Sequence, residues 1–372
     1  MKWLDVIFFQ AELAPEKLAI IAHGHVISYG KLAHGIVSAQ RRLAAAGISE
    51  GHTVGLNIAH PIDHLILICA LYRLRAASAS INAALDAYLD HVPFDAVLTD
   101  SINPRVSQKQ PAAKLFLVDT SWFTSKVTFS VTERTGAKRD PNPDWVCRVT
   151  CFPDDPRQPV IKTTSRALEA QLTAHCLAAL PDWERMISVV ALHTLAGLLQ
   201  SLTALWLGRT VCLADAAIAR RLIVAYKHHY LVAGTQDLDS ILTQQANDFM
   251  ALPALRGACV AGQRFASATI SKCLEMISSN TVLSYTHSAI GIVAYGAAGR
   301  VKHIEGAVGF VAPWVEVQVL GSDGAAVGPE QEGELRFRDR GDQTGVQPGE
   351  DAGWIYPGQR ARLMKNNLLA IR

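Results

Sequence analysis

Residues 151 to 168, CFPDDPRQPVIKTTSRAL, have the outline of a phosphate-binding loop that runs into a helix. Such loops work because glycines let backbone N–H groups converge on phosphate oxygens at a helix start while nearby hydroxyls add donors. Here the stretch holds no glycine, and Pro153, Pro156 and Pro159 remove donors where they would be needed. Asp154 and Asp155 add negative charge that repels a polyphosphate. Of the 13 histidines, two stand out as candidates to move protons. His193 lies between an apolar run and a second apolar stretch, and His287 lies in SYTHSAIG. Either ring can serve as a base or a ligand contact, and a lone histidine beside a buried strand can equally be a satisfied core residue. Cys147 and Cys151 stand four apart, but no second pair completes a zinc-like set and no local base activates a thiol. We expect neither a metal site nor a nucleophile there.

Composition narrows the partners. Lys and Arg number 35 against 33 Asp and Glu, a formal charge of +2 without a dense basic stripe, so nucleic acid is not an expected partner. Seven cysteines form no CxxC pair and sit mostly in apolar runs, which points to reduced thiols and a cytoplasmic location. MKWLDVIFFQAELAPEK has too short an apolar run, broken by Asp5, to read as a signal peptide. From Met186 to Gly208 no charged residue occurs, a length that could span a membrane. His193, Gln200, Ser201 and Thr203 interrupt it, and a buried strand at MISVVAL followed by a helix over about Leu195 to Leu207 is the expectation instead.

The elements that must position these groups follow a strand and helix rhythm. KLAIIAHGHVISY predicts a hairpin with His23-Gly24 near its turn, and GKLAHGIVSAQRRLAAAG an amphipathic helix stopped by Gly47. HTVGLNIA predicts a strand, HPIDHLILICALYRLRA a helix with Pro61 in its first turn, and ASASIN and AVLTD further strands. Residues 101 to 160 read as turn-rich and irregular, with DPNPDW and FPDDPRQP as breakers. A helix is expected over Thr163 to Leu180, then a second α/β series through RTVCLAD, HYLVAGTQ, DSILTQQANDFMAL, RGACVAG and NTVLSYTHS. After Gly299 short β runs take over. The expected fold is α/β, with two α/β subdomains of mixed sheets covered by helices (1–160 and 161–300) and a small β-barrel-like subdomain (301–372).

Taken in order, these pieces resemble the large N-terminal domain of the adenylate-forming superfamily of acyl- and aryl-CoA synthetases. The likeness is carried by Pro15, Lys17, Ala19 and Ile20, by ISYGKLA and GISEGHTVGL, by LPALRGACVAGQRFASATI, by GAVGFVAPWVEVQVLGSDGAAVGPEQEGELRFR and by GWIYPGQRARL. The resemblance implies activation of a carboxylic acid by ATP to an acyl-adenylate, followed by transfer to a thiol. It also implies four motifs, and each departs from the pattern here. The phosphate loop falls on Phe152 to Pro159, with Lys162 displaced from the family lysine. The Y-G-x-T-E motif falls on Tyr285, Thr286, His287, Ser288 and Ala289, where Ala289 replaces the glutamate that holds Mg²⁺. The ribose-binding aspartate falls on Gln359, which lacks the charge-assisted hydrogen bond of a carboxylate. The chain stops at NNLLAIR, about where the family's hinge to a small C-terminal lid domain would begin, so that domain's lysine is not in this polypeptide.

Because the four parts serve one reaction, their joint replacement implies that ATP and Mg²⁺ are not cofactors, while a CoA thioester stays compatible. An acyl or aryl pocket is implied between ALHTLAGLLQ and SAIGIVAYG, with Gly262, Tyr285, Thr286, Ser288, Ala289 and Gly291 as substrate-binding residues and His193 and His287 as the catalytic candidates. The family spacing H-x-x-G becomes H-x-x-x-G between His193 and Gly197. The leading expectation is a non-adenylating relative that binds a small acyl or aryl molecule or a partner protein, with a homodimer compatible. An ATP-independent acyl-transfer or condensation enzyme is the second reading. A ligase completed in trans by a separate C-terminal domain is the third.

Overall fold

Two parallel-sheet series account for most of the chain, as the strand and helix rhythm requires. The computed structural model describes residues 3–81, 84–101, 103–124, 144–151, 160–178, 182–247, 252, 254–340 and 353–372. The stretch 152–159, where the phosphate-loop reading falls, lies outside the described residues. The chain divides into two units, Met1–Ala170 with Leu205–Gly208, and Gln171–Ala204 with Arg209–Arg372.

Chain order in the first part is α1 (Trp3–Leu13), β1 (Leu18–Ala22), β2 (His25–Ser28), α2 (Tyr29–Ala45), β3 (Thr53–Asn57), α3 (Pro61–Arg73), β4 (Ala77–Ser80), α4 (Leu85–His91), β5 (Ala96–Thr99), α5 (Pro104–Lys109), β6 (Lys114–Leu117), β7 (Val146–Cys151), β8 (Val160–Thr164) and α6 (Ser165–Ala178). The hairpin β1–β2 turns on His23 and Gly24 with φ of 48° and 78°, the left-handed pair that a two-residue turn demands. Ser28 then caps α2, its hydroxyl accepting the Lys31 N–H at 3.4 Å, and Gly47 ends the helix region at φ 83°. Helix α3 is apolar on nearly every side and buried accordingly, starting at Pro61, whose missing N–H costs nothing there.

One sheet runs β6-β5-β3-β4-β7-β8, parallel throughout except for the antiparallel β8. Its buried cluster includes Ile81, Tyr88, Phe94, Val97 and Val149. The irregular texture expected over 101–160 is thus corrected in part: α5, β6 and β7 form within it. Strand β7 buries Cys147, Arg148, Val149 and Cys151, and its parallel pairing with β4 is a tertiary fact that local composition does not announce. Thr163 and Thr164, expected in a helix, belong to β8, and the Thr164 hydroxyl accepts the Ala167 N–H at 3.2 Å as α6 starts.

The remaining elements are β9 (Arg185–Ser188), α7 (Leu195–Trp206), β10 (Thr210–Leu213), α8 (Ala216–Tyr226), β11 (Tyr230–Gly234), α9 (Thr235–Asn247), β12 (Gly257–Ala261), α10 (Ser267–Met276), β13 (Thr281–His287), β14 (Gly291–Ala297), α11 (Ala298–Val301), β15 (Ala307–Val311), β16 (Val315–Leu320), β17 (Glu332–Asp339), β18 (Arg360–Leu363) and β19 (Leu368–Ile371). In the second unit the strands lie in the order β16-β17-β18-β19-β15-β14-β13-β12-β11-β9-β10. From β10 to β13 they are parallel, and from β14 onward antiparallel. Among the described residues the C-terminal strands extend this sheet, and the barrel-like closure expected from the sequence is not among their pairings.

Candidate functional site

In an open parallel sheet the carboxyl ends of the strands point their loops to one edge, and ligands bind there. In the second unit that edge carries His193 after β9, Gly234 at the end of β11, Gly262 after β12 and His287 at the end of β13. The sequence-predicted residues therefore share an edge. Strands β11 and β12 separate β9 from β13, so the strand ends that lead to His193 and His287 are about 14 Å apart by strand spacing.

Around β13 the predicted residues do come together. Tyr285 is buried, and burial pushes its hydroxyl far above the ordinary tyrosine range, so it is a neutral donor. It donates to Oε1 of Gln359 at 2.7 Å, and Nε2 of Gln359 donates to Oε1 of Gln263 at 2.8 Å. Gln263 follows Gly262, whose N–H donates to the Ser284 carbonyl at 3.1 Å and continues the β12–β13 ladder. A Cβ on Gly262 would stand 2.9 Å from Cγ2 of Thr235, so only glycine fits this close approach unshifted.

At the end of β13 the chain reverses through Ser288 and Ala289 into β14. Ala289 is 2% exposed, with a methyl group where the resemblance calls for a metal-binding carboxylate. Its N–H donates to Nδ1 of His287 at 3.3 Å, which places the proton of the neutral ring on Nε2. The same ring stands edge-on to Phe337, centroids 5.2 Å apart. Thr286 and His287 are half-buried, Ser288 is buried, and Gly291 takes φ 83° where a Cβ would meet Cγ of Gln171 at 2.8 Å.

Gln171 and His175 belong to this site and are not among the residues picked from the sequence. Nε2 of Gln171 donates to the carbonyls of Ser288 and Ala289 at 3.4 and 3.3 Å, bracing the turn, while its buried Oε1 has no hydrogen-bond partner among the described residues. One turn on, Nδ1 of His175 meets the Gln171 carbonyl at 2.8 Å, and its buried Nε2 has no hydrogen-bond partner among the described residues. Burial holds His175 down to about 4, so the ring is neutral at pH 7. The available signal was the i, i+4 spacing of two polar residues inside the apolar helix EAQLTAHCLA.

The His193 segment is shaped by Gly197. A Cβ there would collide with the Ala191 carbonyl oxygen, and Thr194 closes the turn by accepting the Gly197 N–H at 3.1 Å. Cys147 is buried and pushed up to about 12 by that burial, and its thiol donates to the Thr163 carbonyl at 3.4 Å. Cys151 is likewise buried and pushed up. Both behave as core residues. Among the described residues no group of three or more His, Cys, Asp or Glu side chains could hold a metal ion, and no helix is long and apolar enough to cross a membrane.

The sequence matches no family model and no curated protein. Solved structures do match. The N-terminal domain of FACL13 from Mycobacterium tuberculosis superposes with a TM-score of 0.82 at 16% identity, covering 100% of both chains. O-succinylbenzoate coenzyme A synthetase (MenE) from Bacillus subtilis, in complex with ATP and magnesium ion, gives 0.80 at 14% identity, covering 99% of this chain and 78% of the other. The same enzyme with the acyl-adenylate intermediate OSB-AMP gives 0.77 at 15%, covering 99% and 77%. At these identities the likeness establishes architecture, and the chain has the fold of the N-terminal domain of an adenylate-forming acyl- or aryl-CoA synthetase.

Proposed function

We propose that this protein is a non-adenylating relative of the acyl- and aryl-CoA synthetases that binds a small acyl or aryl molecule at the carboxyl edge of its second sheet. The observation that carries this reading is the pair Ala289 and Gln359. Where the resemblance calls for a carboxylate on Mg²⁺ there is a buried methyl group. Where it calls for a carboxylate on ribose there is an amide already engaged by Tyr285 and Gln263. A hard divalent cation needs oxygen ligands, and a charged ribose contact needs a free carboxylate. Free, mostly buried cysteines support the cytoplasmic location. Calorimetric titration of the full chain with ATP and Mg²⁺ tests the reading. No binding is expected below millimolar concentration, and a sub-millimolar affinity, or pyrophosphate release with any carboxylic acid, would overturn it.

The hydrogen-bonded His287 supports a second reading, ATP-independent acyl transfer. Its Nδ1 accepts the Ala289 N–H, which orients the ring proposed, with His193 as the other candidate, as the base. Thiol release from acyl-CoA thioesters that is lost in His287→Ala would establish this activity, and release unchanged in that variant would remove His287 from it.

A further inference from the structure

A cavity of about 890 Å³ opens in the first unit, and none of the residues of the site described above lines it. Its walls are built from α2, α3 and the end of the β1–β2 hairpin, together with residues 120–124. The two helices pack closely because residue 35 is glycine: a Cβ there would meet Cδ1 of Ile66 at 3.0 Å. Ile27, Ile62, Ile66 and Phe123 give the cavity apolar walls, and a volume of this order suits a small organic molecule.

The polar side is chemically distinctive. His25, His34 and His60 all line the cavity, with Lys31 beside them. The His60 ring meets that of His25 edge-to-face at 5.4 Å and that of His23 at 6.2 Å. Nδ1 of His60 stands 3.2 Å from Oδ2 of Asp63, so this carboxylate already faces a ring nitrogen. Burial raises Asp63 above the usual carboxylate range, and His60 draws it partly back. Glu16 is the other acid in the lining. Branched aliphatic and phenyl groups receive a flat apolar body, imidazole edges pack against an aromatic ring, and the Lys31 ammonium with imidazole N–H groups receives an anion.

We propose that this cavity is a separate binding site for a planar aromatic carboxylate. It is independent of the adenylate-type site and of the activity assigned there.

The test uses the full chain and 1-naphthylacetate, with 1-naphthylmethylamine as the cationic counterpart, followed by titration calorimetry. The acid is expected to bind at least tenfold more tightly than the amine. Ile27→Trp, which fills the cavity from the hairpin side, and Lys31→Met, on the exposed face of α2, are each expected to weaken this binding at least tenfold. If the acid also binds the second unit, the stoichiometry falls from two to one in these variants, which separates the two sites. A preference for the amine, no binding of the acid at millimolar concentration, or binding unchanged in Lys31→Met would each overturn the proposal. Should Ile27→Trp fail to fold, Lys31→Met decides, because its side chain is solvent-exposed and outside the core.

Discussion

Two buried histidines should make the second unit acid-sensitive by a predictable amount. His175 is 2% exposed and His228 is fully buried, and in His228 neither ring nitrogen has a hydrogen-bond partner among the described residues. Burial lowers each from 6.5 to about 4, and for His228 the positive neighbours Arg185 and His229 add to the effect. The unfolded chain binds a proton at each ring near 6.5, while the folded chain does not until about 4. Stability is therefore fully present above the unfolded value and drains away as pH falls from 6.5 toward 4. By pH 5 the unfolded state has gained about 2 kcal/mol per histidine, about 4 kcal/mol for the pair. That is a large share of the ~5–15 kcal/mol that holds a typical domain together.

The assay is urea unfolding at pH 7.5 and pH 5.0, comparing the natural chain with His175→Asn/His228→Leu. Asparagine keeps a donor for the Gln171 carbonyl, and leucine removes ring nitrogens that have no hydrogen-bond partner among the described residues. Other titrating groups act on both proteins alike, so the difference between their pH responses isolates the two rings. The natural chain should lose about 4 kcal/mol more than the variant between the two pH values. Parallel pH responses would refute the reasoning, since they would mean that the rings are protonated in the folded protein or remain neutral in the unfolded one.

Further outcomes follow from single contacts. Gly197→Ala forces a methyl group against the Ala191 and Val190 carbonyl oxygens, and a loss of about 3 kcal/mol or more is expected in thermal unfolding. Tyr285→Phe leaves Oε1 of Gln359 without its donor and should cost about 1–2 kcal/mol, read by urea denaturation. Ala289→Glu puts a carboxylate at a position only 2% exposed, so we expect about 3 kcal/mol of destabilisation and no gain of Mg²⁺-dependent ATP binding by calorimetry. Iodoacetamide at pH 7.5 should label Cys176 first and slowly, because its half-exposed thiol is pushed up to about 11, and mass spectrometry showing Cys147 labelled earlier would contradict the burial assigned to it.

Local signals in the sequence were enough wherever a single element decides its own form. The His23-Gly24 turn, the Ser28 cap and Gly47 stop of α2, and Pro61 at the head of α3 are each written in a few adjacent residues. Where form depends on a distant partner, the sequence was silent. Strand β7 exists because β4 and β8 flank it, and residues 368–371, at the end of the expected β subdomain, form β19 because β15 and β18 offer ladders. The site divides the same way. Tyr285, Gly262 and Gln359 fall in motifs that can be matched by eye. Gln171 acts through the carbonyls of a turn far away in the chain and His175 through the Gln171 carbonyl, and a backbone acceptor leaves no trace in residue identity.

On the proposed reading, the replacements at the adenylate-type site differ from simple loss. A carboxylate that is merely dropped leaves a vacancy that water fills and that reversion restores. Here each substitute has acquired a structural task. The Gln359 amide accepts from one neighbour and donates to another, which a carboxylate, an acceptor only, cannot do. The Ala289 methyl is packed out of solvent while its N–H sets the tautomer of His287. An aspartate at 359 would face the Gln263 oxygen with no proton to share, and a glutamate at 289 would enter a buried turn that Gln171 already braces. Restoring either carboxylate alone therefore lowers stability before it returns any affinity for nucleotide. Polar networks whose members are satisfied resist piecemeal change for this reason, since removing one partner exposes the full desolvation penalty of the other. On the proposed reading, the path back to adenylation is blocked by these hydrogen bonds as well as by the missing ligands.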